Sequence, residues 1–228
     1  MAYLMDSGRP REPFLVAPSC VLWLIGAILA THVLRVMLPG DWPDLLVNAF
    51  AFIPARYSIA QDLTVDSLFF LAAPFVSHIF LHAGWAHAIV NGLWLLAFGP
   101  VTARRLGTPM FLLFFFFCGI AGVLAHLLIY WGSQDAVVGA SGAVSGLMGA
   151  GIRMVYGHGH DMALAPLFSG RMLTFSLMWL VVNAATGLVG FGAGEDFTLV
   201  AWAVHLGGYF AGVLSIPLFQ AASVSRGP

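Results

Sequence analysis

Charged side chains are sparse along the 228-residue chain and leave long uncharged runs between them. Runs without Asp, Glu, Lys or Arg cover residues 13–34 (22 residues), 67–103 (37), 106–134 (29), 136–152 (17), 172–194 (23) and 197–225 (29). A helix needs about 20 apolar residues to cross a bilayer. Five of these runs fit one crossing each. The 37-residue run is too long for one crossing and barely long enough for two with a turn. Residues 67–84 therefore read as an interfacial or re-entrant stretch feeding a span that starts near Trp85. The pattern predicts an all-α polytopic membrane protein with six transmembrane helices. Its expected parts are a short N-terminal tail (1–16), a six-helix transmembrane domain (17–219) and a C-terminal tail (220–228).

Composition narrows the function. Hydrophobic residues make up 60% of the chain and charged residues 8%. A soluble domain carries about a quarter charged residues, and so few charges cannot cover a wetted surface. A soluble enzyme and a disordered protein are excluded. The net charge of −1 and the absence of Lys also give no support to a nucleic-acid partner. The two cysteines, Cys20 and Cys118, lie inside apolar runs and read as small buried hydrophobes. Arg9 and Arg11 precede the first apolar run, but no clean small-x-small cleavage site follows, because Ile28 spoils the pairing with Ala30. The first span is expected to be retained.

Arginines set the orientation. Arg9, Arg11, Arg104, Arg105, Arg153, Arg171 and Arg226 all fall on one side of six alternating spans, against Arg35 and Arg56 on the other. The positive-inside rule then places both termini in the cytoplasm. The longest external segment, residues 39–84, holds Trp42, Phe50, Phe52, Tyr57, Phe69, Phe70, Phe75 and Phe80 among few charges, and should lie in the interface.

Polar groups at membrane depth are costly and often functional. His87 and Asn91 stand in the second span, Ser141 and Ser145 in the fourth, and His205 in the sixth. Asn91 precedes Arg104 by 13 residues, roughly 20 Å of helix. Ser141 precedes Arg153 by 12, roughly 18 Å. His205 precedes Phe219 by 14, roughly 21 Å. His87 lies one turn further out than Asn91 on the same face. A serine, a histidine and an amide thus share one layer, about 10 Å below the outer face of a core about 30 Å thick.

Gly139-Ala140-Ser141-Gly142 sits where an external loop becomes a helix. Gly139, Gly142, Gly146, Gly149 and Gly151 on the fourth span, with Gly208 and Gly212 on the sixth, allow close backbone approach. Two such helices can bring Ser141 to His205, which could take the serine proton. Backbone N–H groups at the helix start, with His87 and Asn91, could hold a developing oxyanion. No acid lies at that depth, so the residues read as a Ser-His dyad. The G-x-S-x-G elbow of soluble hydrolases is absent.

These residues resemble the rhomboid family of intramembrane serine proteases. The matching pieces are His82-Ala-Gly-Trp-Ala-His87-Ala-Ile-Val-Asn91, Gly139-Ala-Ser141-Gly142 and Val204-His205-Leu-Gly-Gly208-Tyr-Phe-Ala-Gly212. The six-span layout is similar to the bacterial form, which implies the bacterial inner membrane. The resemblance implies a rhomboid-like bundle with a membrane-embedded first external loop. It implies cleavage of membrane-anchored substrates in or next to their transmembrane segment. Ser141 would be the nucleophile, His205 the base, and His87, Asn91 and the Ser141 backbone the oxyanion hole. The fifth span and residues 189–197 would gate or cap entry. The expected partners are transmembrane protein substrates and the lipid bilayer, and no metal or cofactor is implied. Three positions depart from the family pattern. Ser145 stands where Tyr or Phe usually stacks on the histidine, Ala73-Pro74 stand where a Trp-Arg pair is common, and Ala103 replaces a Glu.

Two other functions fit six spans with polar residues at depth. A transporter would usually carry an ionisable residue mid-membrane. A catalytically silent rhomboid-like binder of membrane proteins would keep the fold without the chemistry. A fluorophosphonate probe separates both from a protease. His78 and His82 have metal-like spacing but read as hydrogen-bonding loop residues, and His32 and His126 as polar packing. The cluster His158, His160 and Asp161 reads as a surface turn.

Overall fold

A computed structural model describes residues 17–59, 65–157, 163–189 and 202–224. Arg9, Arg11, Asp62, the His158–His160–Asp161 cluster, residues 190–197 of the expected cap and Arg226 lie outside the described residues. The described chain is helical, with one isolated antiparallel bridge between Phe52 and Val137.

The helices are α1 (Ser19–Met37), α2 (Trp42–Phe50), α3 (Ala55–Ile59), α4 (Val65–Ala72), α5 (Pro74–Ser77), α6 (Trp85–Leu106), α7 (Thr108–Ile129), α8 (Ser141–Val155), α9 (Gly170–Val189) and α10 (Trp202–Val224). A 3-10 turn, His78–Phe80, follows α5. Among the described residues, four helices have the length and apolarity to cross a membrane: Ser19–Met37, Trp85–Leu106, Thr108–Ile129 and Trp202–Ser223. A shorter apolar stretch, Gly170–Ala185, lies in α9, and α8 stands at the place of the fourth expected span. The 37-residue uncharged run divides as its length requires, into α4, α5 and the 3-10 turn, then α6 from Trp85.

Local chemistry sets the boundaries. Gly107, at φ 73°, ends α6 with its N–H on the Ala103 carbonyl at 3.0 Å. The left-handed conformation suits glycine, and Pro109 at the first turn of α7 needs no N–H partner there. One residue thus reverses the chain, so α6 and α7 run antiparallel. Ser141 opens α8 after the extended residues 136–138, so α8 has 15 residues, about 22 Å of helix. It is shorter than a core of about 30 Å.

Helix α8 is the centre of the bundle, enclosed by α6, α7 and α10. Twelve of its 15 residues are buried, Gly142, Ser145, Gly146 and Arg153 among them. Lipid gives helices no hydrophobic reason to associate, so close dispersion contact must hold them. Glycine supplies it. A side chain on Gly142 would strike Val204, one on Gly208 the Gly142 backbone, and one on Gly212 the Gly146 backbone. Arg153 is satisfied internally: its Nε donates to the Ala165 carbonyl at 3.1 Å and its Nη1 to the Val213 carbonyl at 2.6 Å. That ties the α8–α9 connection to α10.

The external segment is stitched to this bundle. Phe52 is fully buried and stacks on Tyr57 at 5.0 Å, with Phe75 edge-on at 5.0 Å. Burial pushes the Tyr57 hydroxyl up to about 12, and it donates to the Leu71 carbonyl at 2.8 Å. Phe52 and Val137 exchange backbone hydrogen bonds of 3.1 and 2.8 Å, joining the segment to the strand-like approach to Ser141. Trp42, Leu45, Leu68, Phe69 and Phe70 remain exposed, a surface suited to lipid.

Candidate active site

The loop before α8 is built from outside itself. Gly139 adopts φ 116°, a conformation open to glycine, and its N–H donates to the His78 carbonyl at 2.8 Å. The Ala140 N–H donates to His82 Nε2 at 3.4 Å. His82 Nε2 must therefore carry a lone pair, and its Nδ1 faces the Phe80 carbonyl at 3.4 Å. Burial, with His87 as the next influence, lowers His82 to about 3 and so keeps it neutral. Arg35 Nη2 donates to the His82 and Ala83 carbonyls at 3.0 and 3.2 Å, fixing this turn from α1. His78 Nδ1 faces the Pro74 carbonyl at 2.8 Å, and burial lowers it to about 4. His78 and His82 are thus loop-holding residues.

This loop delivers Ser141 as the first residue of α8, half-buried. The first α-helical hydrogen bond into this turn runs from the Val144 N–H to the Ala140 carbonyl at 2.9 Å. The N–H groups of Ser141, Gly142 and Ala143 have no partner within the helix, and they cluster at its positive end. The residue next to Ser141, Gly142, packs against Val204, the neighbour of His205. Gly208, one turn after His205, packs on the same Gly142 backbone. Ser141 and His205 therefore lie at one level of the α8–α10 seam.

His87 and Asn91 reach this level from α6. The His87 ring lies over Gly139, where an added side-chain carbon would be 2.8 Å from its Cε1 and Nε2 and 3.8 Å from Asn91 Nδ2. One Asn91 N–H donates to the His87 carbonyl at 3.0 Å, leaving the second amide hydrogen on the Gly139 side. Asn91 is buried, whereas His87, Ser141 and His205 are half-buried. Three separated segments thus converge: the start of α6, the start of α8 and the first turns of α10.

A sequence model of the Rhomboid domain matches residues 72–221, a stretch holding all these residues. The chain belongs to the rhomboid family. It is 31% identical over 147 residues to "Putative rhomboid protease YdcA" of Bacillus subtilis (strain 168), covering 64% of this chain and 63% of the relative. It is 30% identical over 157 residues to "Rhomboid-like protein 11, chloroplastic" of Arabidopsis thaliana, covering 67% of this chain and 55% of the relative. The chain thus spans roughly three fifths of the length of these relatives. Family membership and the apolar helices make it an integral membrane protein.

Within the rhomboid domain, one contact to His205 comes from a residue that the sequence reading passes over. His205 Nδ1 and Asn183 Oδ1, on α9, are 2.7 Å apart. The signal was available: Asn183 lies 12 residues after Arg171, roughly 18 Å along the helix, in the same layer as Ser141. Trp179, one turn earlier, is tilted against the His205 ring at 6.4 Å. Ser145, at the position where the family commonly has an aromatic, donates instead to the Ser141 carbonyl at 2.7 Å. The aromatic beside His205 is thus supplied by α9 rather than α8.

Proposed function

We propose that the chain is an intramembrane serine endopeptidase that cleaves membrane-anchored proteins in or next to their transmembrane segment. Rhomboid membership supports intramembrane proteolysis in general. The observation that supports the reading is the glycine-packed seam between the start of α8 and the helix that carries His205, with His87 and Asn91 beside Gly139.

In the proposed reaction, Ser141 Oγ attacks the scissile carbonyl while His205 Nε2 takes its proton. The oxyanion is met by the Ser141 N–H, the Asn91 amide and His87, in a fixed arrangement that needs no rearrangement as charge develops. His205 then returns the proton to the leaving amine, and an acyl group remains on Ser141. Water, deprotonated by His205, releases the acyl group and restores the serine. The same reading places both termini in the cytoplasm of a bacterial inner membrane, on the strength of the arginine asymmetry.

The test is co-expression with a panel of tagged single-span proteins. Wild type is expected to cleave at least one and the Ser141→Ala protein none, at equal expression. Cleavage by Ser141→Ala at the wild-type rate would refute the serine mechanism. A wild type that binds such proteins and cleaves none would mark a silent binder.

A further inference from the structure

We infer that Asn183 is a positioning residue for the proposed base, holding His205 in the tautomer that leaves Nε2 free to accept the Ser141 proton. The inference rests on the Ser-His reading above and adds a third member to it, supplied by α9.

The geometry fixes which atom donates. Asn183 Nδ2 is 3.0 Å from the Trp179 carbonyl, and a carbonyl oxygen can only accept. The amide nitrogen therefore faces Trp179, and the amide oxygen faces His205 at 2.7 Å. That oxygen also only accepts, so the hydrogen of the pair sits on His205 Nδ1. In a neutral imidazole with Nδ1 protonated, Nε2 carries the lone pair. Asn183 is 3% exposed, so no bulk water competes for this bond. When Nε2 takes the serine proton, the Nδ1–H donor remains paired with the same oxygen. Such hydrogen bonds strengthen when the donor becomes charged.

Neighbouring contacts hold α9 at this level. Ser176 Oγ and Tyr209 Oη are 2.7 Å apart, and the Trp179 ring lies 6.5 Å from that of Tyr209. Ser176, Trp179 and Asn183 form one stripe along α9, facing His205 and Tyr209, one turn apart on α10. The opposite side of α9, with Leu177, Val181 and Val182, is exposed. The sequence carries no carboxylate at this depth, and the amide fills the orienting place without adding a buried charge.

The test compares Asn183→Leu, which keeps the branched shape and removes the acceptor, with Asn183→Asp, which keeps the acceptor. Cleavage of a transmembrane substrate in detergent is expected to show kcat lower by about 10- to 100-fold in Asn183→Leu, part of the roughly 100- to 10,000-fold a positioned base supplies. KM should stay within about two-fold, because the bond touches no substrate. Asn183→Asp should retain most of the wild-type kcat. A merely structural asparagine would give the opposite order. An independent readout needs no activity: 15N spectra of histidine in the Ser141→Ala protein should show His205 protonated at Nδ1, and adding Asn183→Leu should move it toward the Nε2-protonated form. If wild type cleaves, Ser141→Ala does not, and Asn183→Leu matches wild type in kcat and tautomer, the Asn183 assignment fails alone. If Ser141→Ala cleaves normally, the Ser-His reading fails and takes this one with it.

Discussion

Replacing Gly208 by alanine probes the seam on which the site depends. A methyl group there would overlap the backbone carbonyl of Gly142, the residue beside Ser141. An ordinary heavy-atom contact needs about 3.5 Å, so the α8 and α10 backbones would have to part by more than about 1 Å. Overpacking of this kind costs about 1–3 kcal/mol, offset by up to about 1 kcal/mol from the better helix propensity of alanine. The fold should therefore survive. The chemistry should not, because a misplacement of about 1 Å can cost roughly 100-fold in rate, equivalent to about 2.7 kcal/mol of barrier. The assay is kcat/KM on a transmembrane substrate in detergent, with thermal unfolding measured alongside. Gly26→Ala is the control: nothing lies within 4 Å of its added methyl, so activity should be unchanged and stability equal or higher by up to about 1 kcal/mol. A folded Gly208→Ala protein cleaving at the wild-type rate would refute the close-packing argument.

Gly139→Ala should lower cleavage by about 10- to 100-fold, since it combines a left-handed φ of 116° with a methyl 2.8 Å from the His87 ring. In a His87→Ala background the same change should cost less, and strict additivity of the two losses would count against the contact. Acid should destabilise the fold through His78 and His82, held by burial at about 4 and about 3 against an ordinary 6.5. The unfolded chain binds protons that the folded chain refuses, so this stability is present above pH 6.5 and erodes below it. Each histidine accounts for up to about 1.4 kcal/mol per pH unit, or roughly 2 kcal/mol each by pH 5. His82→Gln, which cannot take up a proton, should flatten part of the slope between pH 7 and 5, and an unfolding temperature that does not change over that range would contradict the assignment.

Much of this fold is visible in where charges are missing, and the exceptions have physical causes. Residues 13–34 suggest a first span ending at Arg35, yet α1 runs Ser19–Met37. Pro18 delays its start, and Arg35 stays within the helix because its guanidinium finds the His82 and Ala83 carbonyls. Residues 136–152 suggest the fourth span, yet residues 136–140 are not helical. Their backbone is held by Phe52 and His78 and by the His82 ring, partners distant in sequence. Arg153 marks the cytoplasmic end by sequence, and the structure buries it against two carbonyls. The glycine spacing on the fourth and sixth spans announces their contact correctly. Asn183 satisfies the same depth criterion as Asn91, but its relation to His205 depends on how α9 is rotated against α10. No single-helix pattern encodes that rotation.

The central claim is that Ser141 is made nucleophilic by His205, and covalent labelling tests it most directly. The purified protein in detergent would be treated with a fluorophosphonate and the modified peptide located by mass spectrometry. The account predicts one adduct on Ser141 in the wild type and its loss in His205→Ala protein that keeps its helical content. An adduct on another residue, or undiminished labelling of Ser141 without His205, would contradict it.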